Sequence, residues 1–361
     1  MITVRQSHSM QFEGYSATVM SSVTDIQRLK PSIIRAIPQC DILFDPEFFL
    51  ASLSSEWGPK VVALHNGNEL AGIVYAKESI VGGLRLGVVY ADLSLGGVPI
   101  GEFIQRQDTF RIALETVLAS PGIRGMRLRI LRSSPELAAV REIVASRRFD
   151  THFSRVKDHA VLPLPESYEQ MLQRFGSTTR RNFRYYRRRF EGAGHTYLES
   201  LAMDELRSAA FYLDPRCAIP SRPESIERML KMVAAANQPL IVGLKHKNGE
   251  WLSIIGGLYR LGSGVVLLQL NNDRNFPRDS LSVVLRAYLI ETLIRQGTKE
   301  LIFWAGTAAP LSRYVTFVPT LGIYIDRPDY GWRLVRRTVS KFGPWLPKRA
   351  RADARWIAPF S

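Results

Sequence analysis

VVALHNGNELAGIVYA (61–76) and IVGLKHKNGEWLSIIGGLY (241–259) follow one plan. In each, a short apolar run meets an Asn-Gly turn, Asn66-Gly67 or Asn248-Gly249, and a second apolar run returns. Asn-Gly supplies the φ > 0 residues that a tight hairpin turn needs, so each stretch reads as two antiparallel strands. The surroundings repeat as well. After the first hairpin come a strand or bent strand pair over 83–93, closed by Gly96-Gly97, and a helix over 107–119. Phe110, Ala113, Leu114, Val117 and Leu118 share one face of that helix. Gly122 and a strand over 125–131 follow. After the second hairpin come a strand over 264–270, a helix over 280–295, Gly297 and a strand over 300–304. An offset of roughly 180 residues exceeds any solenoid unit and points to two copies of one domain. Strands interleaved with helices make each copy α/β or α+β, a mixed and mostly antiparallel sheet flanked by helices.

The chain's 361 residues suffice for two such domains, and 46% apolar against 22% charged residues is a globular composition. The longest membrane-span candidate, SVVLRAYLIETLI, is broken by Arg286 and Glu291. MITVRQSHSMQFEGYSA at the start lacks the apolar core of a signal peptide. Cys40 and Cys217 stand far apart in no metal or redox spacing, which predicts a reducing cytoplasm, no disulfide and no metal. No G-x-S-x-G or P-loop signature occurs, so hydrolase and NTPase classes drop out. A net charge of +15 favours anionic partners: CoA phosphates, nucleic acid, or the cytoplasmic face of a membrane.

The charge is concentrated in RFGSTTRRNFRYYRRRFEGAGH (174–195), with seven arginines against the single acid Glu191. Ser177, Thr178 and Thr179 offer oxygens to a first helical turn, and Gly192 or Gly194 ends the helix. Phe183, Tyr186 and Phe190 form an apolar stripe. Arg180, Arg184 and Arg187 lie on a second face, Arg181 and Arg188 on a third. Like charges at this spacing repel, so something must offset them, either a structural partner or an anionic ligand. A Ser/Thr-rich turn, an Arg-Asn-aromatic-Arg helix and Glu-Gly-x-Gly resemble the FemAB-like branch of the GNAT acyltransferase superfamily. The resemblance covers roughly the last two thirds of the chain. It implies two tandem GNAT-like lobes, here 1–162 and 163–330, followed by a basic tail over 331–361.

The resemblance also implies acyl-CoA, such as acetyl-CoA, as co-substrate and an amine as acceptor. A pyrophosphate is best held at a helix N-terminus after a splayed strand. In the second copy that place is NNDRNFPRDSLS (271–282), with Ser280, Leu281 and Ser282 at the helix start and Arg274 and Arg278 as added cations. The family often carries Ser-Pro-Gly here; this chain has Asp279-Ser280-Leu281. Asp279 would repel a phosphate, unless it is the helix N-cap. The family's Tyr-Lys pair corresponds to Arg313-Tyr314 in reversed order, and the acidic residue before Phe303-Trp304-Ala305-Gly306 is absent. Tyr314 is the implied proton donor to the leaving thiolate, and Arg313 an anion contact. Asp273 and Glu291 are the nearest acids for a base; Glu291 reads as a surface or ion-paired residue, which leaves Asp273. Arg180, Arg184, Tyr185 and Asn271 complete the expected substrate contacts.

Three readings remain open from sequence. One is a cytoplasmic N-acyltransferase acting on an amine, for instance of a sugar or polysaccharide precursor. Another is an aminoacyl-tRNA-dependent transferase, although the heptad insertion of such members is missing. The last is a non-catalytic basic binding module. In the tail, Trp332, Val335, Val339 and Phe342 read as one stripe opposite Arg333, Arg336, Arg337 and Lys341, with Lys348, Arg349, Arg351, Arg355, Trp345 and Trp356 beyond. Such a helix packs on its own domain or lies on an anionic membrane surface at the inner face.

Overall fold

The computed structural model describes residues 8–12, 14–37, 41–81, 83–92, 103–146, 148–156, 158–214, 223–304 and 311–346. Cys40, Cys217, Gly96-Gly97, Ala305-Gly306 and the tail beyond Leu346 lie outside them. Two compact units form, one from 1–156 with 319–361, the other from 157–318.

The first unit runs β1 (His8–Phe12), β2 (Tyr15–Met20), α1 (Val23–Gln27), α2 (Lys30–Ala36), α3 (Pro46–Ala51), β3 (Trp57–Asn66), β4 (Glu69–Val81), β5 (Leu84–Asp92), α4 (Phe103–Ala119), β6 (Gly125–Leu131), α5 (Leu137–Ala145) and β7 (Asp150–Arg155). The second runs β8 (His159–Pro163), α6 (Tyr168–Arg174), α7 (Ser177–Gly192), β9 (Thr196–Leu198), α8 (Met203–Leu213), α9 (Pro223–Ala234), β10 (Pro239–Lys245), β11 (Trp251–Arg260), β12 (Ser263–Asn271), α10 (Leu281–Arg295), β13 (Glu300–Phe303) and β14 (Thr316–Val318). The chain then returns to the first unit with β15 (Thr320–Asp326) and α11 (Tyr330–Phe342).

The duplicated order is present. β3–β4–β5–α4–β6 and β10–β11–β12–α10–β13 are the same sequence of hairpin, strand, helix and parallel strand. The first sheet has the order β1-β2-β3-β4-β5-β6-β15-β7 and the second β14-β8-β13-β12-β11-β10-β9. Both sheets are mixed and covered on both faces. In β3, Val62 and Leu64 face a core with Phe110, Leu114 and Val117 of α4. Val61 and Ala63 face Ile26, Ile33 and Phe49 of the opening helices. In β10, Leu240, Val242 and Leu244 meet Phe183 and Phe190 of α7 and the apolar residues of α10. Ile241 meets Leu206, Ala210, Leu230 and Val233 on the other side. Burial on two faces explains why the hairpins read as unbroken apolar runs rather than alternating ones.

Three expectations change. Residues 151–162 read from the sequence as one strand, and they belong to two, β7 and β8, in different sheets. The slot between β6 and β7 is filled by β15, and the slot between β13 and β14 by β8. The sequence boundaries at 162/163 and 330/331 therefore differ from the compact units, because pairing of strands distant in sequence decides unit membership. Residues 24–30 read from the sequence as one helix, and they fall in two, α1 and α2, with Pro31 in the first turn of α2.

The tail helix is turned differently from the expected stripe. Trp332, Arg336, Val339 and Gly343 form its inward row, with Trp332 and Gly343 buried. Val335 and Phe342 are exposed. Asp326, at 0% exposure, sets this orientation. It accepts from Arg127 Nη1 at 2.9 Å and Trp332 Nε1 at 2.9 Å, and pairs with Arg336 Nη1 at 2.9 Å. Burial lowers the Arg127 pKa, and the Asp326 carboxylate works against that shift. Removing one member of a buried charge cluster costs far more than an exposed pair is worth. Asp326→Ala is expected to destabilise the first unit by about 3–5 kcal/mol, read as a shift in its urea unfolding midpoint. Trp332→Phe, which puts a smaller ring in the buried site and loses one hydrogen bond, should cost less, about 1–3 kcal/mol.

Candidate active site

β12 organises the site. Its first half pairs in parallel with β13, from Ser263 with Glu300 to Val266 with Phe303. Beyond that, β12 continues to Asn271 on antiparallel β11, while β13 stops at Phe303. The cause is local. The β11–β12 register shifts at Gly256/Gly257 and leaves Leu267 as an extra residue. Such a bulge bends a strand and raises its twist. Only glycine fits at 257, because a Cβ there would collide with the Val265 carbonyl oxygen. Among the described residues β12 thus runs on to Asn271 past its last partner in β13, and this junction is called the fork below.

Arg286 of α10 reaches the fork. Its Nε and Nη2 donate to Gln269 Oε1 at 3.1 and 2.9 Å, and its guanidinium lies 5.1 Å from the Phe303 ring centre. Burial lowers its pKa to about 10, so it stays charged at neutral pH. At the end of β12, Asn271 Oδ1 accepts from Ser253 Oγ at 2.6 Å and Gln269 Nε2 at 3.4 Å. Buried Asn272 anchors the following turn through its N–H to the Leu252 carbonyl, 2.8 Å.

That turn ends at Ser280, whose φ of 47° and ψ of 47° are left-handed. A non-glycine residue there is strained by roughly 1–3 kcal/mol, which commonly marks functional positions. The Ser280 carbonyl accepts from Val283 and Val284. The N–H groups of Ser280, Leu281 and Ser282 donate to nothing among the described residues. Consecutive free N–H groups at the positive end of a helix suit an anion. Leu281 buries its side chain, so only its backbone is available; Ser282 is half-buried. Asp273, Arg274 and Arg278 are exposed, and their side chains have no ion pair among the described residues. Asp279 neither caps α10 nor stands free: its carboxylate pairs with Arg189 Nη2 at 2.9 Å. Arg189 also donates to the Arg278 carbonyl at 3.4 Å.

α7 spans Ser177–Gly192, with Phe183 and Phe190 buried. Its charge excess is offset by acids from other segments. Arg184 pairs with Glu169 at 3.3 Å. Arg187 pairs with Glu191 at 3.0 Å and with Glu291 of α10 at 2.7 Å, and sits 4.3 Å over the Tyr288 ring. Tyr288 donates to Glu191 at 2.8 Å. Glu291 is therefore an ion-pair residue. Arg180, Arg181 and Arg188 have no ion pair among the described residues. With Ser177, Arg184, Tyr185 and Arg189 they line an open groove of about 610 Å³.

Tyr314 meets the start of this helix. Its hydroxyl accepts the Gly176 N–H at 2.9 Å and donates to Thr179 Oγ1 at 3.1 Å. Gly176 is the N-cap and receives no side-chain cap from the Ser/Thr run, so Tyr314 organises a turn expected to cap itself. The bonds to Thr179 and then Gly176 hold the phenol pKa below its ordinary value. Arg313 is exposed beside it. At the other end of α7 the His195 and His246 rings lie 4.4 Å apart, and Phe276 of the turn lies 5.5 Å from His246. Burial, then the neighbouring His246, lowers the His195 pKa.

The contacts join the expected residues into one chain. The turn after β12 meets α7 through Asp279 and Arg189, and α7 meets Tyr314 through Gly176 and Thr179. Arg286, Gln269 and the histidine pair were not expected. Arg286 had a signal, a lone cation inside an apolar helix; the others depend on the fold. Among the described residues no three His, Cys, Asp or Glu gather to hold a metal, and no helix is long and apolar enough to cross a membrane.

No family model and no curated protein matches the sequence. Solved structures do match. FemX superposes with a TM-score of 0.58 at 10% identity, covering 84% of this chain and 96% of that chain. The chain has the FemAB-like, tandem GNAT-type fold. The C-terminal domain of an Agrobacterium fabrum protein assigned as a lysylphosphatidylglycerol synthetase gives 0.54 at 13% identity, covering 88% and 97%. A conserved protein of unknown function from Bacteroides thetaiotaomicron gives 0.54 at 11%, covering 85% and 99%. At such identities the likeness is one of fold.

The Arg187 cluster makes a pH-dependent contribution. Burial opposes ionisation of Glu191, but the bonds from Tyr288 and Arg187 outweigh it and hold its pKa below the usual carboxylate value. A depressed carboxylate stabilises above its unfolded pKa of about 4.3, and the gain is lost as pH falls through the folded value. Glu191→Gln should therefore flatten the acid side of a stability–pH curve measured by urea unfolding. Arg187→Ala, which leaves Glu191 and Glu291 facing each other, should cost about 1–3 kcal/mol at neutral pH.

Proposed function

We propose that this protein is an N-acyltransferase that moves an acyl group from acyl-CoA to an amine. The observation that carries the reading is the fork between β12 and β13 beside three free N–H groups at the start of α10. The edge of β12 beyond Val266, which has no strand partner in β13 among the described residues, offers a place for an extended thioester, and the helix start suits its pyrophosphate. In this reading Ser280, Leu281 and Ser282 hold phosphate through their N–H groups, with Arg274 and Arg278 adding charge-assisted bonds. Asp279 is compatible with an anion here because Arg189 offsets its charge.

The amine attacks the thioester carbonyl carbon. The C–N bond forms, the C–S bond breaks, and the thiolate leaves. Asp273 takes the proton from the amine, and Tyr314, with its lowered pKa, returns one to the thiolate. The groove at Arg180, Arg184 and Tyr185, with Arg313 and Asn271, favours an acceptor that carries negative charge, such as a sugar or polysaccharide precursor of the cell envelope. The likeness to FemX supports a transferase and leaves the donor open.

The unpaired Arg180, Arg181 and Arg188 beside an exposed Tyr185 favour a second reading, aminoacyl transfer from tRNA, since cations with an aromatic platform also suit a single strand. Calorimetric titration with acetyl-CoA, a longer acyl-CoA, free CoA and tRNA at low and high salt separates the readings. Acyl-CoA binding that survives high salt supports the first. Salt-sensitive tRNA binding with no acyl-CoA binding supports the second. Weak, salt-sensitive binding of every ligand leaves a non-catalytic basic module.

Two substitutions refine the test. Arg274→Ala with Arg278→Ala should weaken acyl-CoA binding at least about tenfold, the worth of one charge-assisted bond. Tyr314→Phe should lower turnover about 100-fold or more with donor affinity kept. Wild-type turnover in Tyr314→Phe would remove Tyr314 from the mechanism.

A further inference from the structure

α11 has two working faces, and only one is used within its unit. The inward row, Trp332, Arg336, Val339 and Gly343, is held by the Asp326 cluster. On the outer face Leu334 is 57% exposed, Val335 41% and Phe342 54%, and Trp345 in the turn that follows is 85% exposed. On a 3.6-residue helix these positions fall on one side with Thr338. Arg337 and Lys341 flank this ridge, are exposed, and have no ion pair among the described residues. Arg333 at the rim pairs with Asp150 at 2.6 Å. From Tyr330 to Leu346 the sequence has four cations and no acid, and Lys348, Arg349, Arg351 and Arg355 follow against the single Asp353.

We propose that the outer face of α11 docks on an anionic lipid surface. The inference goes beyond the transferase reading and does not rest on it. Exposed aliphatic and aromatic side chains flanked by cations, with a tryptophan at the end, match what an interfacial helix needs: apolar groups to enter the acyl boundary and cations for the headgroups. A protein partner would also cover apolar groups. The charge decides between them. The unpaired cations beside the ridge, Arg337 and Lys341, complement a continuous negative surface, whereas protein interfaces mix signs and deplete lysine. The helix is too short and too charged to span the bilayer, so it lies in the interface plane, held from behind by Trp332 and Asp326.

The test is co-sedimentation of the full chain with vesicles of phosphatidylcholine alone and of phosphatidylcholine with about 30% phosphatidylglycerol. Binding is expected only to the anionic vesicles and should weaken with salt. Phe342→Ser with Trp345→Ser should reduce it at least about tenfold, as should Arg337→Glu with Lys341→Glu. All four residues are exposed, so both double variants should melt like the parent, which circular dichroism checks. Failure of the parent chain to bind anionic vesicles overturns the proposal, and so does equal binding by either double variant. A concentration-dependent dimer abolished by Phe342→Ser and Trp345→Ser would instead make the face a protein interface and overturn it equally. Acyl-CoA titration of the same variants keeps the two readings apart, since lipid docking can fail while donor binding stands.

Discussion

The second unit depends on how one arginine-rich helix is tolerated against a hydrophobic core. α7 carries six arginines and one acid of its own. It stays because other segments send carboxylates to it: Glu169 from α6, Glu291 from α10 and Asp279 from the turn before α10. Each exposed pair is worth only about 0–1 kcal/mol. Arg187 differs, since it is half-buried between two carboxylates and over a tyrosine ring. Because Glu291 and Asp279 lie on α10 and on the turn before it, these pairs also tie α7 to the start of α10. The arginines left over define the groove. Paired and unpaired arginines are therefore divided along one helix by which residues find an acid.

Among the described residues the two copies share an order of elements and differ in how far β5 and β12 run beyond their parallel partners. In the first unit β5 and β6 remain paired from Val88 with Gly125 to Asp92 with Arg129, the last residue of β5. In the second, β12 runs on past its last partner in β13. The hairpin bulges match, at Leu64/His65 and Leu244/Lys245, but those of the next strand pair are placed differently. The first copy shifts register in the β4–β5 pair at Glu78/Ile80, near the turn between those strands. The second shifts at Gly256/Gly257, ahead of the strand end that opens the fork. One duplicated plan can thus keep a packing role in one copy and a candidate catalytic role in the other.

Much of this was legible in local sequence. Asn-Gly turns gave both hairpins, and the limits of α7 follow from its Ser/Thr start and the glycines at its end, with Gly194 at a φ of +75°. Features that depend on distant pairing were not legible. Nothing in THFSRVKDHAVLP shows that the chain changes sheets there, and nothing in TLGIYID names the slot between β6 and β7. Asp279 looked like a cap or a repellent because its partner, Arg189, is 90 residues away in sequence. Ser177, Thr178 and Thr179 looked like caps, yet the group that bonds the Gly176 N–H is the hydroxyl of Tyr314. Within the site, residue types were readable and their pairings were not.

The same limit applies to the charge. A total of +15 favours anions without saying which kind, and the structure divides the cations into distinct surroundings. On α7 the unpaired arginines stand beside Ser177 and Tyr185, with no exposed aliphatic side chain in the groove. That setting suits a hydrated anion, where guanidinium groups can make paired hydrogen bonds. On α11 Arg337 and Lys341 stand beside Leu334, Val335 and Phe342, whose exposure costs free energy in water. Cations next to exposed apolar groups gain only where charge neutralisation and apolar burial occur together. The apolar neighbour, not the cation itself, separates the two surfaces.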